Sequence, residues 1–303
     1  MGRARAAGTM KPAPFAYCDP QTLEEALELL ARHGEEAKIL AGGQTLGPLL
    51  NMRLAMPAVL IDINGIAALE HRRADTKGLA IGALTRQSAL EDDADVGALQ
   101  PLLALTLPQI AHRAIRNRGT VGGSLAHADP AAEWPAIATL LGAELIVQSR
   151  ARGTRIIPVQ EFFITHLTTA LAADEILCEV RLPPSAPGSG YAVLEFARRH
   201  GDFALAGAMA RLTRDAAGRL RDPRLVLFGV GKRPERASCA EAMLAGARPE
   251  AGLFAAAAQT AAGETDPYDD LHASARYRRH LAGVLAGRAL EQAFARTGED
   301  GHA

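Results

Sequence analysis

The sequence predicts an α+β fold. Strand-like segments gather in runs, and a long run of helical segments closes the chain, which is the pattern of segregated rather than alternating elements. Two Gly-Gly stretches, AGGQTLG at Ala41–Gly47 and RNRGTVGGSLAHADP at Arg116–Pro130, interrupt the strand-rich part, and neither reads as G-x-G-x-x-G. A tract of Pro, Gly and Ser, PPSAPGSG at Pro183–Gly190, reads as a linker between two bodies. The 303 residues suffice for two or three domains with a sizeable core.

The elements follow in order. Thr22-x-x-Glu25 is a capping box, and Leu23, Ala26, Leu27 and Leu30 fall on one helical face. Gly34 is the expected stop. AKIL (37–40) reads as a short buried strand entering the first Gly-Gly stretch, and AVLIDI (58–63) as the next strand. LEHRRADTKGLAIGAL suggests a hairpin turning near Asp75–Gly78. Thr85 is a candidate cap for a helix over 86–90, and residues 99–114 read as helical, broken at Pro108. After the second Gly-Gly stretch come a helix over about 131–141, a hairpin over 144–157 and a strand at 175–183. Beyond the linker, three long strands (191–198, 203–213, 219–230) precede helices near 237–244, 251–262 and 271–295.

Composition narrows the function classes. A net charge of -1 carries no nucleic-acid footprint, and 4% aromatic residues leave little for a base-stacking surface. No apolar run reaches the length of a membrane span, and no apolar region follows Arg3 and Arg5 to make a secretory signal. Residues ahead of Met10 read as a loose leader or a misassigned start. Cys18, Cys178 and Cys239 are widely spaced, which argues against a disulfide framework and for a cytoplasmic setting. An iron–sulfur cluster takes about four thiolates, so this chain cannot hold one alone. His112, His127, His166 and His200 show no zinc spacing, and there is no G-x-S-x-G elbow or Walker A lysine.

A Gly-Gly stretch leaves the main chain bare. A ligand can come close, and N–H groups can converge on phosphate oxygens. Thr45 and Ser124 add hydroxyls, and two such stretches can grip a pyrophosphate from opposite sides. Each stretch alone reads equally as a tight turn. The basic run RNRG (116–119) reads either as a solvated turn or as electrostatic support for a diphosphate.

Together, ILAGGQTLGPLLNMRLAMPAVLIDINGI (39–66), IRNRGTVGGSLAHADPAAEWPA (115–136), DEILCEVRLP, EFARRHGDFALAGAMARL and GVGKRPERASCAEAMLAG resemble the FAD-binding medium subunit of the molybdenum hydroxylases, the group of carbon-monoxide dehydrogenase and bacterial xanthine dehydrogenases. The resemblance runs from about Pro14 to Ala295. It implies a two-lobed FAD-binding domain of the vanillyl-alcohol-oxidase (PCMH) type, then a C-terminal domain of three-stranded antiparallel sheet plus helices. The implied division is a leader at 1–12, lobes at 13–65 and 66–183, a linker at 184–190, a C-terminal domain at 191–297 and a tail at 298–303.

The resemblance also implies roles. Ala41, Gly42, Gly43, Gln44, Thr45, Leu46 and Gly47 would wrap the FAD diphosphate. Thr120, Val121, Gly122, Gly123 and Ser124 would meet the diphosphate and ribityl chain from the other side. Asp129 and Glu133 would lie near hydroxyls and polar edges, and Leu177 and Ile110 would pack on the isoalloxazine. Two positions depart from the pattern: Glu133 stands where Asp is familiar, and Glu195 where a Lys is often seen. A carboxylate there disfavours an anionic reduced flavin; Arg198 and Arg199 read either as a substitute or, more simply, as solvated strand residues. No catalytic acid or base is expected in this chain, because the cofactor carries the chemistry. The implied partners are a large molybdopterin subunit and a small iron–sulfur subunit, in a dimer of heterotrimers. The implied role is electron transfer from the clusters through FAD to an external acceptor. The rival readings are a self-sufficient FAD-dependent oxidase or reductase of the same domain type, and a flavin-free scaffold.

Overall fold

The structure is a computed structural model and describes residues 11–298. The choice between Met1 and Met10, most of the leader and most of the tail lie outside the described residues.

The first body holds β1 (Ala16–Cys18), α1 (Leu23–His33), β2 (Ala37–Leu40), α2 (Leu46–Asn51) and β3 (Val59–Asp62). Its strands form a parallel sheet in the order β1-β3-β2. The capping box at the start of α1 is formed: Thr22 Oγ1 accepts from the Glu25 N–H at 3.2 Å, and the Glu25 carboxylate accepts from the Thr22 and Gln21 N–H groups. Gly34 ends the helix at a φ of 51°, as its place predicted. Ala26, Leu27 and Leu30 of α1 pack with Val59 and Ile61 of β3 in a small core.

The next stretch contains β4 (Arg72–Asp75), β5 (Gly78–Gly82), α3 (Gln87–Glu91), α4 (Ala94–Leu99), α5 (Pro101–Thr106), α6 (Arg113–Arg116), α7 (Val121–His127), α8 (Glu133–Leu141), β6 (Glu144–Ser149), β7 (Gly153–Pro158), α9 (Val159–Phe162), β8 (Phe163–Thr165), β9 (Thr168–Thr169) and β10 (Glu175–Leu182). Five of its strands make an antiparallel sheet in the order β4-β5-β10-β6-β7. The short ribbon β8–β9 gave no sequence signal.

Three local expectations change here. Thr85 does not cap α3: its hydroxyl donates to the His71 carbonyl at 2.9 Å, and Arg86 occupies the cap position. The stretch 99–114 is not one helix broken at Pro108. It splits into α5, a 3-10 turn over Leu107–Gln109, and α6, because Pro101 opens α5 and Pro108 begins a tighter turn. The second Gly-Gly stretch is not a loop. Gly122 and Gly123 lie in the first turn of α7, with Thr120 as its N-cap accepting from the Gly123 N–H at 3.1 Å.

The last part holds β11 (Gly190–Phe196), β12 (Ala206–Arg214), β13 (Leu220–Phe228), β14 (Glu235–Arg236), α10 (Ser238–Leu244), α11 (Leu253–Gly263) and α12 (Ala275–Ala295). Its sheet is antiparallel, and the two-residue β14 extends the three long strands to four. One face of this sheet carries Ala206, Ala208, Ala210 and Leu212 onto the helices, where Ala282, Ala286 and Ala289 of α12 meet them. Small residues on both sides bring α12 against the strands. A Cβ at Gly190 would stand 1.9 Å from the Ala293 carbonyl oxygen. The other face carries Tyr191, Val193, Met209, Val226 and Phe228 into the same core as Trp134, Ile137 and Leu103 of the preceding part. The stretch before β11 is pinned: the Ser185 and Tyr191 hydroxyls lie 2.8 Å apart, as do those of Ser189 and Thr213. No described helix is long and apolar enough to cross a membrane.

Candidate functional site

The two Gly-Gly stretches, far apart in sequence, touch. A Cβ at Gly42 would stand 2.4 Å from the Arg118 carbonyl oxygen and 2.9 Å from Gly119 Cα. Only a bare main chain fits between them. Ala41 lies on the other side, 3.7 Å from where a Cβ of Gly123 would be. The end of the first parallel sheet is thus docked against the start of α7.

The first stretch leaves β2, turns at Gly43 with a φ of 73°, and enters α2 at Thr45. A left-handed φ favours glycine, and a Cβ at Gly43 would meet only Leu40. This stretch lies within a β2-α2-β3 unit of parallel strands, and Asp62 ends its second strand. The three-stranded sheet and the six-residue α2 remain unlike a doubly wound dinucleotide fold. Among the described residues, the N–H groups of Gly42, Gly43, Gln44, Thr45 and Leu46 donate to no protein acceptor. Five successive donors next to a glycine turn are thus left available to an anion. Half-buried Thr45 makes no capping bond with its hydroxyl, and open space borders Gly47.

The second stretch is built differently. Its amides are spent on the scaffold: Val121 donates to Thr85 O, Gly122 to Ala83 O at 2.8 Å, Gly123 to Thr120 Oγ1 and Ser124 to Thr120 O. A Cβ at Gly122 would meet Ala83 Cβ at 2.4 Å, so this glycine lets α7 lie on the end of β5. What the stretch offers a ligand is a close-packed wall with the half-buried Ser124.

A polar network that the sequence reading missed ties the stretches together. Tyr17 donates to Asp62 Oδ2 at 2.6 Å, and Asn64 donates to Asp62 Oδ1 and to the Ala41 carbonyl at 2.8 Å. Arg86 then donates to Asn64 Oδ1 and to the Arg118 carbonyl, each at 2.6 Å. Burial opposes the Asp62 charge, but the bonds from Tyr17 and Asn64 outweigh it and hold the carboxyl below its ordinary range. The bond to Asp62 pushes the Tyr17 phenol up to about 12. The available signal was the Asp-x-Asn turn after an apolar strand.

The RNRG run divides. Arg116 is buried and forms an ion pair with Glu91 at 2.8 Å while donating to the Ile110 and Ala111 carbonyls. It braces α6 rather than facing a ligand. Arg118 is exposed beside the first stretch, and its charge acts on Asp62.

Asp129 is half-buried and caps its own turn by accepting from the Ala131 N–H at 2.9 Å. Glu133 opens α8 at 5% exposure, and burial pushes its carboxyl up to about 7. Ile110 and Leu177 are buried in one shared core, Leu177 beside a bulge in the β10–β6 pairing. Glu195 is half-buried with its Oε2 atom enclosed, and burial with the Glu133 charge pushes it up to about 8. Arg198 and Arg199 are exposed, Arg198 against His272, so neither is buried beside Glu195. The histidines are not all isolated: His112 and His200 meet edge to face at 6.2 Å, and His127 feels the charges of Asp129 and His166.

Comparison with known proteins finds relatives over nearly the whole chain. Residues 13–185 match the family of the FAD binding domain in molybdopterin dehydrogenase, and residues 191–293 match the CO dehydrogenase flavoprotein C-terminal domain. The chain is 41% identical to the 6-hydroxypseudooxynicotine dehydrogenase complex subunit alpha of Paenarthrobacter nicotinovorans, over 95% of this chain and 97% of that one. It is 39% identical to the caffeine dehydrogenase subunit beta of Pseudomonas sp. (strain CBB1), over 94% of this chain and 96% of that one. A solved chain of carbon monoxide dehydrogenase from Hydrogenophaga pseudoflava superposes with a TM-score of 0.92 at 36% identity, covering 95% of this chain and 99% of that one. With both family models and relatives matching over nearly the whole chain, the protein belongs to the family of FAD-binding medium subunits of the molybdenum hydroxylases.

Proposed function

We propose that this chain is the FAD-carrying electron-transfer subunit of a molybdenum-containing hydroxylase or dehydrogenase. The observation that supports it most is the run of five free amides at Gly42–Leu46, held against the second glycine stretch. These residues fit an extended dinucleotide. Ala41–Gly47 bind the diphosphate through main-chain donors, with Thr45 adding a hydroxyl. Thr120–Ser124 close the opposite side by shape and by the Ser124 hydroxyl. Asp129 and Glu133 orient the cofactor's hydroxyls and polar edge, and Leu177 and Ile110 give the ring an apolar support that excludes water. The division into lobes at 13–65 and 66–183 and a C-terminal domain at 191–297 belongs to the same reading.

The chemistry that FAD supplies when bound is redox: electrons arrive from an iron–sulfur subunit and leave to an external acceptor. This chain's residues bind and orient. Its three thiols are too few for a cluster, and burial pushes Cys178 up to about 12, so that thiol stays protonated and inert. The upstream carriers therefore reside on partner chains, a large molybdopterin subunit and a small iron–sulfur subunit, in a dimer of heterotrimers. The naming of relatives as a complex subunit and a medium chain supports partner chains. Three free cysteines suit a cytoplasmic location.

Purification of the native protein tests the proposal. Expected are flavin absorption, two copurifying chains, and molybdenum and iron in the complex. A chain that runs alone and turns over a small substrate without molybdenum would overturn it.

A further inference from the structure

One end of the C-terminal sheet bears on the second domain, and a single buried side chain gathers that end. Arg278 is the fourth residue of α12 and is buried, on a helix that otherwise packs on the sheet through alanine and leucine. Its Nη1 donates to the Leu205 carbonyl at 2.6 Å and to the Gly229 carbonyl at 3.2 Å. Its Nη2 donates to Asp270 Oδ2 at 2.6 Å, and the guanidinium lies over the Tyr268 ring, 5.7 Å from the centroid. Asp270 is itself fixed, because its Oδ1 accepts from the His272 and Ala273 N–H groups. The planar fork of an arginine holds one carboxylate and two carbonyls in set directions, which a lysine does less well. Among the described residues, no main-chain N–H donates to the Leu205 or Gly229 carbonyl, so Arg278 is what satisfies them.

Both carbonyls belong to segments that touch the second domain beside the candidate site. Leu205 closes the connection from β11 to β12, its N–H donating to the Phe196 carbonyl at 2.8 Å. Within that connection Gly201, at a φ of 87°, lies against residues 111 and 112: a Cβ there would stand 2.9 Å from His112 Cε1 and 3.2 Å from the Ala111 carbonyl carbon. These two residues directly follow Ile110. Gly229 follows β13, and its N–H donates across the interface to the Pro130 carbonyl at 2.8 Å. Pro130 directly follows Asp129. A Cβ at Gly229 would stand 2.8 Å from the Ala204 carbonyl oxygen, so the two connections also pack on each other. Gly229 thus carries both links, its carbonyl on Arg278 and its N–H on Pro130.

We propose that Arg278 is a positioning residue for the cofactor site: anchored by Asp270, it holds the Leu205 and Gly229 end of the sheet so that this end keeps residues 110–112 and 129–130 in place against the flavin. The proposal rests on the flavin reading above. Without the guanidinium, two carbonyls lose their donor inside a packed interface, where an unmet polar group is costly. Relief comes when the sheet end shifts toward water, which stretches the bond from Gly229 to Pro130 and frees the chain after Asp129. The shared core is built from other side chains, so loss of positioning is separable from loss of the fold.

The test uses the full-length protein, deflavinated and titrated with FAD, with thermal unfolding and the visible circular dichroism of the bound flavin as further readouts. Arg278→Met should unfold cooperatively, bind FAD about tenfold more weakly and alter the flavin dichroism. Arg278→Lys keeps the charge beside Asp270 and should recover part of the affinity. A lowered thermal midpoint in Arg278→Met with wild-type Kd and wild-type flavin dichroism overturns the proposal, since the residue then braces only its own domain. Gly229→Ala, which strains a left-handed turn and crowds Ala204, should also weaken FAD binding, and in the double variant the two factors should not multiply in full. A full product means that the two residues act separately, and overturns it too. If Arg278→Met does not fold, Asp270→Asn takes its place: it loosens the guanidinium without removing it and should raise Kd about threefold, and wild-type affinity there sinks the idea. A wild type that takes up no FAD removes the flavin reading and this inference with it, whereas a loaded wild type with unaffected variants removes this inference alone.

Discussion

At the scale of single residues, the candidate site depends on glycines with different duties. Gly43 supplies a left-handed turn beside open space, whereas Gly42 supplies contact between two main chains. A β-branched residue at Gly43 carries a conformational penalty of roughly 1–2 kcal/mol and crowds the free amides. Gly43→Val is therefore expected to emerge from purification largely without FAD while keeping its fold; normal flavin content with a normal circular dichroism spectrum would refute this. Asn64 has a subtler role. It bonds Asp62, the Ala41 carbonyl and Arg86, and so links one stretch to the other. Asn64→Ala should weaken FAD binding about tenfold by letting the stretches separate, as read by titrating deflavinated protein with FAD. An unchanged Kd would show the network to be dispensable.

At the scale of elements, α7 is held by its first turn. Gly122→Ala puts a methyl group 2.4 Å from Ala83 Cβ, so α7 must move off β5. The expected cost is about 1–3 kcal/mol of stability together with lower flavin content, checked by denaturant unfolding and absorbance. The outer hairpin has an electrostatic anchor. The bond from Arg155 is the main cause holding Glu175 down to about 2, working against burial, with Arg152 adding to it. Because this carboxyl lies below its ordinary 4.5, its contribution is complete above that pH and is lost as pH falls toward 2. Both arginines are half-exposed, which screens the pair, so Glu175→Gln should cost about 2 kcal/mol at pH 7 and nothing near pH 2. Acid unfolding curves of the two proteins should converge; a constant separation would contradict the assignment.

At the scale of the whole molecule, the largest core ignores the linker. Tyr191, Val193, Met209, Val226 and Phe228 from the C-terminal sheet are buried with Trp134, Ile137 and Leu103. Cutting the chain after residue 185 would expose that apolar surface to water. Calorimetry of the intact chain should give one cooperative transition, and a fragment of residues 13–185 should bind hydrophobic dye or aggregate. Two resolved transitions with a soluble, dye-silent fragment would mean that the interface contributes little.

Much of this was legible in the chain. The capping box at Thr22, the strands around 37–40 and 59–62, the hairpins and the three closing helices each follow from local propensity, periodicity or turn chemistry, which act within a few residues. The family and its cofactor were legible as ordered segments rather than as any one motif. Local signals could not tell that Gly122 belongs to a helix, that Thr85 serves the His71 carbonyl, or that Arg116 is buried on Glu91. Those outcomes depend on partners distant in sequence. The same holds for the division of labour in the site: both stretches are rich in glycine, yet tertiary contacts consume the amides of one and leave those of the other free. The sequence by itself determined the secondary elements, the family and the glycine positions where main chains can meet. Only the tertiary structure decided which main chains do meet, and it buried the Glu133 carboxyl, because the burial of an ionisable group is a property of the packed interface and not of its neighbours in sequence.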